Sequence, residues 1–140
     1  MKLSFRYQLI FSFALLSLLA GIFNYLLFRP DIFLFKIIGE PATHYEIKND
    51  FIRHFFFGYF SDIAWCISFC FIVFSMEKLN YIKSSGKKLL MLLPFIAEGL
   101  QYTGVINGTF DWNDILSYAI IITLFGMFFP TFKTDIHEKR

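Results

Sequence analysis

Four long apolar segments alternate with polar ones along the chain. They are close to the roughly 20 residues that a membrane-spanning helix needs and cover residues 7–28, 55–76, 89–106 and 115–132. The first and last contain no charged residue, whereas the second contains Asp62 and the third contains Glu98. The pattern predicts an all-α protein with a single integral-membrane domain over residues 1–140, folded as a four-helix transmembrane bundle.

The composition indicates that a bilayer surrounds these segments. The chain is 56% hydrophobic and has 21 phenylalanines among its 140 residues, more than a core of this size could hide from water. The net charge of +2 comes without a basic face or nucleic-acid-binding motif, so no nucleic acid is expected as a partner. The expected partner is the lipid bilayer, and because four short helices bury little surface, a homo-oligomer is a further expectation.

Two features of the apolar segments admit a second interpretation. Cys66 and Cys70 lie on one face of a helix, where one turn does not favour a disulfide, and we interpret them as small buried hydrophobes rather than a redox or metal pair. The first segment follows Lys2 and Arg6 as a signal peptide would. It is long for a signal core and lacks a clear cleavage site, so an uncleaved anchor is favoured.

The lysines and arginines predict the orientation in the membrane. With four spans, the N-terminus, the second loop and the C-terminal tail share one side, and together they carry nine basic residues: Lys2, Arg6, Lys78, Lys83, Lys87, Lys88, Lys133, Lys139 and Arg140. Both termini are therefore expected to be cytoplasmic, with the first and third loops outside. The apolar stretch at residues 31–40 is too short to span and is expected to lie in the membrane interface.

This orientation brings four acidic residues towards the outer side. Asp62 and Glu98 each lie about 10 Å along a helix from its outer end, at 1.5 Å per residue. Asp111 and Asp114 flank the outer start of the fourth segment. A carboxylate at the centre of a membrane helix costs roughly 2.5–3.5 kcal/mol, so protonation, a hydrogen-bonding partner or a water-filled cleft must accompany it.

These acids and their neighbours form a candidate ligand-binding site that opens outward, with Glu98 and Asp62 at its floor. Gln101 shares a helix face with Glu98, and the outer end of the second segment supplies two candidate counter-charges. The predicted ligand-binding residues are Glu98, Gln101, Asp111, Asp114, Asp62, His54 and Arg53. On the second segment, one helical stripe is formed by Asp62, Trp65, Cys66 and Phe69.

Simpler roles for the same acids stay open. Asp111 and Asp114 could cap the fourth helix, Glu98 could hold helices together through hydrogen bonds, and Asp62 could be solvated near the interface. The chain lacks a phosphate-binding glycine loop, a zinc-protease helix and a serine elbow. The acids are too few for a dedicated calcium loop. No metal site is therefore predicted, and neither a cofactor nor a catalytic residue is identified.

The third segment and the loop after it resemble the VanZ-like family of small bacterial membrane proteins. That family has a glutamate, two residues, a glutamine, and then a short outer loop ending in an aspartate that starts the next helix. Here these are Glu98, Gln101 and Asp114, while His54 and Tyr59 resemble a histidine and an aromatic residue that open an earlier span. The similarity covers about the last two-thirds of the chain. Some members resemble a protein linked to resistance to the glycopeptide teicoplanin.

The resemblance implies a place in the bacterial cytoplasmic (inner) membrane and a role in the cell envelope or in glycopeptide tolerance. The favoured function is binding of a polar or cationic envelope ligand in an outward-facing acidic pocket. One alternative is a membrane enzyme that acts on a lipid-linked headgroup by carboxylate or metal-assisted chemistry. Another is a structural subunit whose acids only pack helices.

Overall fold

Helices are the only regular secondary structure in the residues that the computed structural model describes, 5–28 and 48–129, which confirms the all-α prediction. Six α-helices and one π-helical turn occur in these ranges: α1 (Phe5–Phe28), α2 (Asp50–His54), the π-helical turn (Phe55–Tyr59), α3 (Phe60–Lys78), α4 (Ser84–Leu90), α5 (Leu93–Tyr102) and α6 (Trp112–Phe128). The interfacial segment expected at residues 31–40 and the basic C-terminal tail lie outside the described residues.

Two helical stretches are long and apolar enough to cross a membrane. They are Tyr7–Phe28, within α1, and Asp50–Lys78, which joins α2, the π-helical turn and α3 into 29 continuous residues. α6, an apolar helix of 17 residues, covers most of the segment predicted as the fourth span. The fold therefore contains two full-length candidate spans, followed by shorter helices where the third and fourth were predicted.

The third predicted span differs from the sequence expectation because its helix is divided. α4 ends at Leu90, Met91 and Leu92 form a turn, and α5 begins at Leu93. Pro94 lies in the first turn of α5, where the N–H that proline lacks has no helical partner to lose. The proline thus marks a helix start inside the apolar segment. α5 ends at Tyr102, short of the expected residue 106.

The interface between α1 and α3 is built from small and polar side chains, while large apolar side chains face outward. The buried residues of the two helices include Ala14, Gly21, Asn24, Ser61, Ala64 and Ser68. By contrast, Leu16 and Phe23 of α1 are 61% and 64% exposed. Small residues at an interface let two helices approach closely in lipid. Large apolar side chains can face outward there, because the lipid tails around them are apolar as well. The outer surface of this helix pair therefore suits hydrocarbon.

Side-chain hydrogen bonds join α1 to the following long helix. Asn24 donates through Nδ2 to the Phe56 carbonyl at 2.7 Å and to the Ser61 hydroxyl at 2.9 Å. Ser17 donates to the Ala64 carbonyl at 2.7 Å. Phe56 lies in the π-helical turn, and such turns loosen the regular ladder of backbone hydrogen bonds. Asn24 thus supplies a donor to this irregular stretch from inside the interface.

The second half of the chain packs on the other side of α3. α6 contacts α3 through aromatic rings, among them Phe71 and Phe125 with centroids 4.8 Å apart. α5 packs mainly against α6, and its direct contact with α3 is slight. Within the core beside α6, Cys66 and Cys70 are buried free thiols, which confirms their interpretation as core residues. The limited contact between α3 and α5 leaves space between them.

Candidate functional site

Glu98 is the buried acid of α5, with only 4% of its surface exposed. Its carboxylate accepts hydrogen bonds from the backbone N–H of Asp111 and from the hydroxyl of Tyr118. One oxygen, Oε2, is buried and has no hydrogen-bond partner among the described residues. Leaving a buried polar atom unsatisfied costs about 1–3 kcal/mol, and more when the group is charged. Glu98 therefore holds an unused acceptor that a ligand could satisfy.

The other three predicted acids gather around the same point. Asp62 and Asp111 lie within electrostatic range of Glu98, and Asp114 lies within range of the Tyr118 hydroxyl. Asp114 is itself buried, with 9% of its surface exposed. Acidic side chains from α3, α5, α6 and the residue before α6 thus lie within electrostatic range of Glu98 or of Tyr118. We call this group the acidic cluster: Asp62, Glu98, Asp111, Asp114 and Tyr118.

Tyr118 is the member of the acidic cluster that the sequence analysis missed. Its side chain is buried and packs edge-to-face on Phe95, with ring centroids 6.2 Å apart and planes at 84°. This packing holds the hydroxyl among Asp62, Asp114 and Glu98. The sequence spacing could have identified Tyr118 as a member of the site, because Tyr118 follows Asp114 by one helical turn and therefore shares its face.

Asp111 has two roles at the start of α6. Its Oδ1 accepts a hydrogen bond from the Asn113 N–H at 2.8 Å, so Asp111 is the N-cap of the helix and the capping interpretation is confirmed. Its Oδ2 accepts from the Tyr59 hydroxyl at 3.3 Å. The same hydroxyl accepts from Asn113 Nδ2 at 3.0 Å and lies 3.4 Å from His54 Nε2. Tyr59 therefore links the start of the second long helix to the start of α6.

A Tyr59→Phe variant tests this link, because it keeps the ring and removes only the hydroxyl. We expect the free energy of unfolding to fall by about 1–2 kcal/mol and amide hydrogen exchange to accelerate in the first turn of α6. Exchange mass spectrometry and thermal unfolding in mild detergent measure both effects. Tyr102→Phe is the matched control, since Tyr102 is 73% exposed. Equal exchange in the two variants would show that Tyr59 does not hold this helix end.

Two predicted ligand-binding residues make their described contacts outside the acidic cluster. Gln101 packs over Gly108 in the loop between α5 and α6, with its Cδ 2.6 Å from the place where a Cβ on that glycine would lie. Arg53 pairs through Nη2 with Asp50 Oδ1 at 2.8 Å on an exposed surface. His54 approaches the cluster only through Tyr59. The counter-charge role expected of Arg53 therefore stays a prediction.

A groove of about 150 Å³ adjoins the acidic cluster, in the space between α3 and α5. Its lining residues are Asp62, Trp65, Cys66, Phe69, Pro94 and Tyr118. The first four form the stripe that the helical spacing predicts along α3. From Asp62 to Phe69 this stripe runs roughly 10 Å at 1.5 Å per residue. Asp62 and Tyr118 belong to both the groove and the acidic cluster. The groove is therefore polar where it meets the cluster and apolar along the rest of its length.

The arrangement offers mainly acceptors, because ionised carboxylates accept hydrogen bonds and donate none. Such a set suits a cation or a group rich in N–H donors. Within residues 5–28 and 48–129, no three His, Cys, Asp or Glu side chains are close enough together to hold a metal ion. No protein-family model matches the chain, and neither a curated protein nor a solved structure is detectably similar to it.

Proposed function

We propose that this chain is an integral membrane protein whose acidic cluster is an outward-facing pocket for a polar or cationic ligand of the cell envelope. The observation that carries the proposal is the buried Glu98, whose Oε2 has no partner among the described residues and which lies beside Asp62 and Asp111. Carboxylates within electrostatic range of one another attract a cation more strongly in surroundings of low dielectric than in water. Arg53 and Lys87, whose ion pairs are described, are already paired with acids elsewhere.

A four-helix transmembrane bundle is the architecture that we propose around this pocket. The two long helices and the outward-facing apolar side chains of α1 support it. α4 and α5 lie one after the other over residues 84–102, where the third span is predicted. We further propose that both termini are cytoplasmic, with the lysines of the second loop on that side and the acidic cluster nearer the outside.

The resemblance to the VanZ-like family supports a setting for this pocket. Of the three residues that match the family's glutamate, glutamine and aspartate, Glu98 and Asp114 belong to the acidic cluster, and Gln101 packs on the loop beside it. We therefore propose a role in the envelope of a bacterial cell, at its cytoplasmic membrane, and in tolerance to glycopeptide antibiotics. The ligand would then be a polar or cationic component met at the outer face of that membrane.

Ethylammonium is a small probe of cation binding. We expect one molecule to bind per chain in lipid nanodiscs, measured by calorimetry. With three non-hydrogen atoms, and a ceiling of about −1.5 kcal/mol per atom, its dissociation constant should be no tighter than about 1 mM. Glu98→Gln should weaken binding at least tenfold, because the amide keeps the shape of the side chain and removes its charge.

Asp50→Asn is the matched control for this titration, because Asp50 is an acid on an exposed surface and pairs with Arg53. This variant should bind ethylammonium like the original protein, and acetate should bind to neither. Equal ethylammonium affinity of the Glu98→Gln and unaltered proteins would refute the cation pocket. So would binding of acetate as tight as that of ethylammonium.

A further inference from the structure

We infer that the ligand is a cationic amphiphile, with an ammonium group at Glu98 and Asp62 and an apolar portion in the groove between α3 and α5. This inference rests on the proposed function and adds to it the chemistry of the rest of the ligand. The cluster and the groove share Asp62 and Tyr118. A molecule held at the cluster therefore has the apolar groove directly beside it.

The positions of residues along α3 and α5 indicate where the charged and apolar parts of the ligand would lie. Along α3, Phe69 lies roughly 10 Å beyond Asp62. On α5, Pro94 comes one turn before Glu98, roughly 6 Å along the axis. Asp62 lies within electrostatic range of Glu98, and Phe69 and Pro94 line the same groove as Asp62. Along α3 the groove thus runs from a carboxylate, Asp62, to an apolar wall, and Glu98 of α5 lies within electrostatic range of that carboxylate.

The charged end fits an ammonium group. Glu98 Oε2 is a buried acceptor with no partner among the described residues, and an ammonium supplies up to three N–H donors together with the opposite charge. A buried carboxylate is stabilised by such a partner and is costly without one. An ordinary anionic phospholipid would instead bring its phosphate towards several carboxylates, and like charges at this range repel.

The size of the groove limits the apolar end. An apolar cavity of about 150 Å³ holds a benzene molecule, so the groove accepts about six carbon atoms next to the ammonium. Trp65, Phe69 and Pro94 provide its apolar lining. Transfer of one methylene from water to an apolar site contributes about 0.8 kcal/mol, which is roughly a fourfold gain in affinity. Affinity should therefore rise with chain length until the groove is filled.

A series of alkylammonium ions from ethyl to hexyl, titrated into the protein in nanodiscs, tests this inference. We expect roughly a fourfold tightening per methylene and a total gain on the order of a hundredfold. Alcohols of the same chain lengths, titrated in parallel, correct for partitioning into lipid. The gain should disappear in Glu98→Gln, because the ammonium then loses the carboxylate that holds the chain at the groove.

Filling the groove supplies the second arm of the test. Pro94→Phe adds bulk at a lining position in the first turn of α5, where residues other than proline are also accommodated. We expect the ratio between the affinities for hexylammonium and ethylammonium to fall from on the order of a hundredfold to about one in this variant. Leu93→Phe is the matched control, since Leu93 is 46% exposed and is not among the lining residues. Pro94→Leu makes the same comparison if the larger side chain lowers the yield of folded protein.

The outcomes separate the inference from the function on which it rests. Ethylammonium binding that needs Glu98 but does not tighten with chain length would overturn the amphiphile and leave the cation pocket standing. A full chain-length gain in Pro94→Phe would place the apolar portion elsewhere and would also overturn it. If neither ethylammonium nor hexylammonium binding depends on Glu98, both proposals fall together.

Discussion

A Glu98→Gln variant should insert and fold like the original protein and yet lose the glycopeptide tolerance that we expect the chain to confer on a susceptible bacterial host. Glutamine has nearly the same shape as glutamate and can still accept a hydrogen bond from the Tyr118 hydroxyl, so the packing around α5 should persist. What disappears is the carboxyl group, and with it the ability of this side chain to carry a negative charge, at the most buried point of the acidic cluster. If the pocket works by attracting a cation, this charge is the property that it cannot lose.

The measurement compares inhibitory concentrations of a glycopeptide for cells that express each variant at equal membrane abundance. Asp50→Asn should keep full tolerance, because its carboxylate lies at the exposed surface. Full tolerance with Glu98→Gln would contradict the pocket. Absence of any effect from the original protein would instead contradict the role drawn from the VanZ-like resemblance, and the ethylammonium titration would then decide on the site alone.

A Gly21→Leu substitution should lower the free energy of unfolding by about 3 kcal/mol, the largest loss of stability that we expect. Overpacking a tight interface typically costs about 1–3 kcal/mol. A Cβ on Gly21 would lie 2.4 Å from Trp65 Cδ1 and 3.3 Å from Ala64 Cβ. Alanine at this position could be accommodated by a shift of the indole ring, at a cost of about 1 kcal/mol. Leucine would also push on Ala64 and separate the helices. The hydrogen bond from the Ser61 hydroxyl to the Gly21 carbonyl, now 3.2 Å, would be lost as well.

Thermal unfolding in mild detergent checks this prediction. The matched control is Ala20→Leu, which adds nearly the same bulk to the exposed side of α1, one residue away. In a lipid-facing position this substitution should leave the melting temperature almost unchanged. Similar melting temperatures for the two leucine variants would mean that α1 and α3 do not pack closely at this glycine.

Features that depend on local spacing could be predicted from the sequence. Apolar segments predicted helices, and the helical repeat placed Asp62 and Phe69 on the face of α3 that lines the groove. The capping role of Asp111 followed from an aspartate next to an apolar run. The electrostatic proximity of Asp62 to Glu98 agrees with the expectation that both residues lie about 10 Å from the same end of the bundle.

Features that depend on contacts distant in sequence could not be predicted. Tyr118 looks like one more aromatic residue until α5 packs against α6 and brings Glu98 to its hydroxyl. Tyr59 reaches Asp111 across 52 positions of the chain, and no local pattern reports such a pairing. The turn at Met91 and Leu92 was also missed, because both residues favour helices and the apolar run continues through them. Pro94 indicates in the sequence that the helix is irregular at this point, but it does not indicate whether the helix bends or begins there.

The pairing of α1 with the long helix that follows it has a consequence for biosynthesis. α1 makes most of its contacts with α3, so everything that this interface requires has been translated once Lys78 has emerged. A ribosome that adds roughly 5–20 residues per second needs several more seconds to synthesise α4, α5 and α6. α1 and α3 can associate in that interval. We therefore expect the half of the molecule that supplies Glu98 to pack onto α1 and α3 after these two helices have associated.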